Sequence, residues 1–203
     1  MKKLILASGS PRRAELLAQI GLSFEVIHPD IDESVAVNES AISYVKRMSL
    51  SKYHSIRFPD SGNAIPEEDI VLCADTIVVS DSQILGKPKD EKAGIQMLEN
   101  LSGKAHKVIT SVTIGQYIQL NSFFVETIVK FRILKKDECL AYWLTGEPQD
   151  KAGGYAIQGI GSVFVESISG SYSNVVGLPL METSRALAEL GMSTLKLSQY
   201  DNY

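Results

Sequence analysis

Cysteine is scarce in this chain: Cys73 and Cys139 are its only two among 203 residues, and they form no CxxC pair. Three scattered histidines add no ligand cluster. A disulfide framework and a zinc site are thereby excluded. Long apolar runs are missing too, and none approaches the roughly 18 residues of a membrane span. The opening Met1-Lys2-Lys3-Leu4-Ile5-Leu6-Ala7 faintly imitates a secretory signal. Its apolar run is about half the usual minimum, so it reads as the first strand of a cytoplasmic protein. Positive charge is not in excess: 20 Lys and Arg stand against 24 Asp and Glu, a net charge of -4. That balance argues against a general affinity for nucleic acid or a membrane surface, while leaving room for a local basic pocket. The expected partner is therefore a small molecule.

What is present is a chain with 44% hydrophobic residues, long enough for one domain over residues 1–203. Leu4 to Ala7 reads as a short buried strand, and Pro11 with its fixed φ suits the first turn of a helix that Ser10 could cap. That helix runs to about Ile20 and stops at Gly21. A strand over Ser23 to His28 and an acidic turn, Pro29 to Ser34, lead to a second helix from about Ser40 to Ser55. Its basic side carries Lys46, Arg47 and Lys52, and Ile42, Val45, Met48 and Leu50 lie near its other side. Pro59 to Asp69 reads as a loop, and Ile70 to Val79 as an apolar strand broken only by Asp75-Thr76. Asp90 caps a helix ending at Gly103; Val108 to Ile114 and Phe123 to Leu134 form a long hairpin, and a helix spans Asp137 to Leu144. Glycine-rich loops around Gly153 and Gly159, a strand over Ser162 to Val165 and a helix opened by Pro179 complete the chain. Strands and helices alternate without a fixed-period repeat, so the class is mixed α/β.

Two arginines directly after Pro11 pose a question. A helix amino-terminus already carries about half a positive charge, so each cation there costs on the order of 0.3–1 kcal/mol. Removing Arg13 should then relieve the empty protein. Backbone N–H groups, the hydroxyls of Ser8 and Ser10 and the guanidiniums of Arg12 and Arg13 at one helix start suit a polyphosphate. The bland alternative is an ordinary turn with two solvated arginines, since neither a P-loop nor a GxGxxG pattern is present. Asp75 is the sharpest single residue, because a carboxylate inside an apolar strand must be paired, hydrogen-bonded or bound to metal. It could hold Mg²⁺ or activate water. Lys87, twelve residues on, and Lys52 could complete a cationic wall. Asp30, Asp32 and Glu33 are either an acidic turn or metal ligands, and Tyr142 and Trp143 read as packing.

"LILASGSPRRAELL" from Leu4, "ADTIVV" from Ala74, "GKPKD" from Gly86, "SGKAHKVITSV" from Ser102 and "DKAGGYAIQGIG" from Asp150 resemble the Maf family of nucleotide pyrophosphatases. "NVVGLPL" from Asn174 extends the last likeness. The resemblance implies an elongated α/β molecule, a mixed sheet with flanking helices in two lobes about a central cleft. It implies hydrolysis of a nucleoside triphosphate to monophosphate and pyrophosphate with a divalent cation, Mg²⁺, Mn²⁺ or Co²⁺, in a homodimer. Ser8, Arg12, Arg13, Lys52 and Lys87 would then face the phosphates, Glu33 and Asp75 would serve metal or water, and Gln158 would complete the site. The branch acting on dTTP and UTP resembles this chain at Arg12-Arg13, Asp75-Thr76 and Tyr155-Ala156-Ile157-Gln158. The branch acting on 7-methyl-GTP has tryptophan at the position of Arg12, glutamine at Thr76 and glutamate at Gln158. The rival class is a nucleotide-binding regulator of cell division. The amide of Gln158 could read the O4 and N3–H edge shared by uracil and thymine, or it could sit near the phosphates.

Overall fold

The computed structural model describes residues 2–58 and 65–195. In chain order the elements are β1 (Leu4–Ala7), α1 (Pro11–Gln19), β2 (Glu25–Ile27), α2 (Ala41–Arg57), β3 (Ile70–Ser80) and β4 (Gln83–Leu85). There follow α3 (Glu91–Leu101), β5 (Ala105–Gln116), β6 (Gln119–Phe131), α4 (Lys136–Leu144), β7 (Val165–Ser169), α5 (Tyr172–Val176) and α6 (Leu180–Glu189). Seven strands form one mixed sheet in the order β2-β1-β3-β5-β6-β7, with β4 on β3. β1 lies parallel to β2 and β3, and the pairs from β3 to β7 are antiparallel.

Burial on both faces explains the continuous apolar reading of β1 and β3. Leu4, Leu6, Ile70, Leu72 and Ala74 pack against Leu16, Leu17 and Leu187, from α1 and α6. The alternate residues Ile5, Ala7, Val71 and Cys73 pack on Tyr53 of α2, and Ile77 and Val79 meet Tyr44, Val45 and Met48 of the same helix. Farther along, Val78, Val108, Val129 and Phe131 close against Leu98 of α3 and Cys139 and Tyr142 of α4. The period of two therefore sends Asp75 toward α2 and Thr76 toward α1.

The register of β3 positions the cleft. Along one edge β1 pairs with Ile70 to Cys73, and β4 pairs with Val78 to Ser80. Between them, Ala74 to Ile77 have no strand neighbour on that edge among the described residues. The other edge stays paired with β5 throughout, Asp75 opposite Ser111 and Thr76 opposite Thr110. The only polar pair in this strand interior thus sits where the sheet opens, and α1 begins beside it, just beyond the end of β1.

Several expected elements differ. The strand placed at Ser162 to Val165 is a 3-10 turn over Ile160–Phe164, and the strand runs from Val165 to Ser169. The N–H groups of Ile160 and Gly161 bind the Glu147 carboxylate, at 3.0 Å each, so that backbone is not available to a ladder. The hairpin starts earlier and turns later than Val108 to Ile114 and Phe123 to Leu134 suggested: Ala105 to Lys107, Gly115, Gln116 and Gln119 to Ser122 join the pairing, and the second strand ends at Phe131 rather than Leu134. β2 is only three residues long, and α5, five residues, is too short to leave a helical period in the sequence. Lys52 belongs to the inward face of α2 with Val45 and Met48, not to its solvated basic side, since positions 45, 48 and 52 share one stripe. The expected loop from Pro59 to Asp69 lies partly outside the described residues; Asp69 itself is buried, and its carboxylate accepts the Lys3 N–H at 2.8 Å.

Candidate active site

A cleft of about 530 Å³ opens at the gap in β3. Arg12, Arg13, Glu33, Lys52, Asp75, Thr76, Lys87 and Gln158 all line it. Residues that the sequence scatters over 147 positions are thus brought to one hollow, of a size that small-molecule sites have. Ser8 is the exception: it is buried behind the wall, where its hydroxyl accepts the Ser10 N–H at 3.1 Å and Arg13 Nη1 at 3.0 Å. Ser10 occupies the N-cap of α1, but its side chain makes no capping bond.

On the α2 side, Lys52 Nζ lies 2.6 Å from Asp75 Oδ1 and 2.8 Å from Glu33 Oε1. Asp75 and Lys52 are almost fully enclosed, at 13% and 9% side-chain exposure, whereas Glu33 is half exposed. A buried carboxylate is tolerable when a cation meets it. Burial pushes the Glu33 carboxyl up, but the Lys52 ammonium outweighs it and the net shift is downward. Glu33 rides on an irregular segment held by α2: Tyr44 Oη donates to the Glu33 carbonyl at 2.8 Å, and Arg47 donates to the Ser34 carbonyl at 2.9 Å. Arg47 also grips Glu39 at both carboxylate oxygens, 2.6 and 2.7 Å. Asp32 binds Ser34 locally and is exposed, so of the acidic turn only Glu33 faces the cleft.

On the α1 side the chemistry is neutral. Arg13 is buried and donates from Nε to the Gly177 carbonyl at 2.9 Å, from Nη1 to Ser8 and from Nη2 to Thr76 Oγ1 at 3.0 Å. Thr76 Oγ1 lies 2.9 Å from Thr110 Oγ1, which donates to the Asn174 carbonyl at 3.0 Å. Arg13 therefore clamps the loop after β1, strand β3 and the Gly177 turn together. The expectation that removing it would relieve an empty helix start does not hold, because this guanidinium satisfies three acceptors, two buried and one part-buried. Arg12, half-buried in the cleft wall, is free of such bonds among the described residues. Lys87 lines the cleft and is exposed.

Tyr44, Arg47 and the Gly177 carbonyl support these groups without any signal of that role in the sequence. Asp150, the first residue of the motif over residues 150–161, also lines the cleft, paired with Lys151 at 2.5 Å.

The Maf-like protein family matches residues 3–190 of this chain. The chain belongs to the Maf family. Among curated relatives, this Maf chain is 48% identical over 194 residues to a dTTP/UTP pyrophosphatase of Colwellia psychrerythraea, covering 94% of this chain and 89% of that protein. It is 48% identical over 190 residues to one of Vibrio vulnificus strain YJ016, covering 93% and 99%. A third, from Pseudoalteromonas atlantica, is 47% identical over 190 residues, covering 94% and 98%. The mixed α/β sheet and its flanking helices agree with Maf membership.

Proposed function

We propose that this Maf chain hydrolyses dTTP and UTP to the monophosphate and pyrophosphate. The observation that carries the reading is the meeting, at the opening of β3, of a helix amino-terminus with Arg12, Arg13, Lys52, Lys87, Glu33 and Asp75 in one cleft. The dTTP/UTP pyrophosphatases similar to it over nearly its whole length supply the nucleotide.

In this reading Arg12, with its backbone N–H in the first turn of α1, and Lys87 hold the β- and γ-phosphates, which leave as pyrophosphate. The triphosphate is then the anion that Arg12 awaits, while Arg13 is already committed to the frame. Ser8, Arg13 and Thr76 keep that wall in register. Asp75 takes a proton from the water that attacks the α-phosphorus; the α-phosphorus to bridging-oxygen bond breaks, and Lys52 orients both carboxylates. Asp75 and Glu33 fit a divalent cation, because each commits one oxygen to Lys52 and keeps another for a ligand. Two carboxylates with substrate phosphates are a donor set that Mg²⁺ or Mn²⁺ accepts. Such an ion, Mg²⁺, Mn²⁺ or Co²⁺, would supply charge neutralisation at the phosphates. Gln158 faces the nucleotide from the far wall. The working protein is a cytoplasmic homodimer; no helix among the described residues is long and apolar enough to cross a membrane.

UTP with Mg²⁺ or Mn²⁺ should yield UMP and pyrophosphate in equal amounts. Accumulation of UDP and free phosphate overturns the reading, and nucleotide binding without turnover favours a sensor.

A further inference from the structure

Gln158 lines the cleft, and its side chain has no hydrogen-bond partner among the described residues. Its position must come from the backbone around it. That backbone rests on one carboxylate. Glu147, which follows α4, accepts the Ile160 N–H at Oε2 and the Gly161 N–H at Oε1, both at 3.0 Å. Tyr142 Oη donates to the same Oε1 at 2.7 Å and accepts the Ala156 N–H at 3.1 Å. The segment from Ala156 to Gly161 is therefore pinned at both ends, with Gln158 between the pins. Consecutive N–H groups on one anion form a nest, a rigid seat that a flexible side-chain contact does not provide.

The glycines on either side of this seat show how close it is. A Cβ on Gly159, whose φ is +90°, would lie 2.5 Å from Glu147 Oε2. A Cβ on Gly161 would lie 2.5 Å from Tyr142 Oη. Only glycine lets the backbone descend onto the pair. Neither Glu147 nor Tyr142 lines the cleft, so neither can touch a nucleotide directly.

We infer that Glu147, with Tyr142, is a positioning residue for pyrimidine selection: its carboxylate fixes the loop that presents Gln158 to the nucleotide base. The inference rests on the proposed function and adds to it the group that sets base preference. Burial pushes the Glu147 carboxyl up, yet the N–H of Gly161, the Tyr142 hydroxyl and the N–H of Ile160 outweigh it, so the anion persists at neutral pH.

The test compares the parent with Glu147→Gln and Tyr142→Phe. The first keeps the size of the side chain but turns an amide NH₂ toward one backbone donor. The second keeps the buried ring and removes both hydroxyl bonds. Two readouts are taken: kcat and KM for UTP and CTP, and hydrogen exchange of the Ile160 and Gly161 amides without nucleotide. In Glu147→Gln, KM for UTP should rise about 10-fold and the preference for UTP over CTP should fall several-fold, with kcat within about threefold. Exchange at the two amides should quicken at least about 100-fold. Tyr142→Phe should move each quantity in the same direction by less. Unchanged amide exchange overturns the anchoring. Faster exchange with an unaltered KM and UTP/CTP preference makes the contact merely structural and overturns the inference. A parent that releases no pyrophosphate from UTP overturns the function reading instead, and the base-selection claim with it.

Discussion

Asp75 and Thr76 are neighbours in the chain, yet they build opposite kinds of wall. Toward α2, Asp75 joins Lys52 and Glu33 in a chain of formal charges, all from side chains. Toward α1, Thr76 joins Arg13, Thr110 and the carbonyls of Gly177 and Asn174, where the partners of the single cation are neutral. The ionic wall can reorganise when phosphate or metal arrives, because Lys52 can exchange one anion for another. The neutral wall cannot, since each donor already has a fixed backbone or hydroxyl partner. One strand therefore separates the groups suited to chemistry from those that hold the frame. The difference predicts that substitutions on the two sides fail in different ways.

Asp75→Asn should give the largest effect. Under the proposed function, kcat for UTP falls at least about 10²-fold, because the amide can neither take a proton nor bind Mg²⁺ well. Because Asp75 is paired with Lys52, a stability loss of about 1–3 kcal/mol should accompany the kinetic loss. Steady-state kinetics and thermal melting of the same preparation check both. Full activity in Asp75→Asn would move the proton acceptor to Glu33.

Arg13→Ala and Arg12→Ala divide the two adjacent arginines. Losing Arg13 removes three bonds from a charged donor to buried or part-buried partners, and should destabilise the protein without nucleotide by about 3–5 kcal/mol. Losing Arg12 should leave the melting temperature within a degree or two and raise KM for UTP. Equal melting losses in the two variants would break the distinction between frame and ligand contact.

Much of this site was legible in the sequence, for a physical reason. Asp75 stood out because charge in an apolar strand always needs a partner, and Arg12 and Arg13 because cations at a helix start need an anion. The helix spacing also made α1, α2 and α3 plain. Sequence did not show which way each group turns. Lys52 looked like part of a solvated face because Lys46 and Arg47 precede it, yet the stripe of Val45 and Met48 carries it inward. Arg13 could not be told from Arg12, since its acceptors are the Gly177 carbonyl and the hydroxyls of Ser8 and Thr76, residues 164, 5 and 63 positions away. The 3-10 turn at Ile160 was hidden because it is set by a carboxylate 13 residues earlier, not by its own side chains.

A separate effect should come from acid, and it falls on β5 beside the neutral wall. His106 lies on the same face of β5 as Thr110, buried between Phe131 and Tyr155, with Nε2 2.7 Å from the Tyr155 hydroxyl. Its Nδ1 has no partner among the described residues. Burial pushes the imidazole down to about 4 from an ordinary value of 6.5, so the folded protein favours the uncharged ring. The unfolded chain takes up the proton first as pH falls. Stability from this group is therefore full above about pH 6.5, declines through that range, and is lost below about pH 4, a change on the order of 2–3 kcal/mol. Glu39 and Glu138, held down to about 2 by Arg47 and Arg132, contribute to the acid limb as well. They are common to parent and variant, so they cancel in a difference. Urea midpoints at pH 7, 5.5 and 4 for the parent and His106→Gln isolate the histidine, because glutamine can still meet the Tyr155 hydroxyl but does not titrate. The parent should lose stability over this range and the variant should lose less by about that amount. Parallel curves would show that the pocket between Phe131 and Tyr155 tolerates a proton.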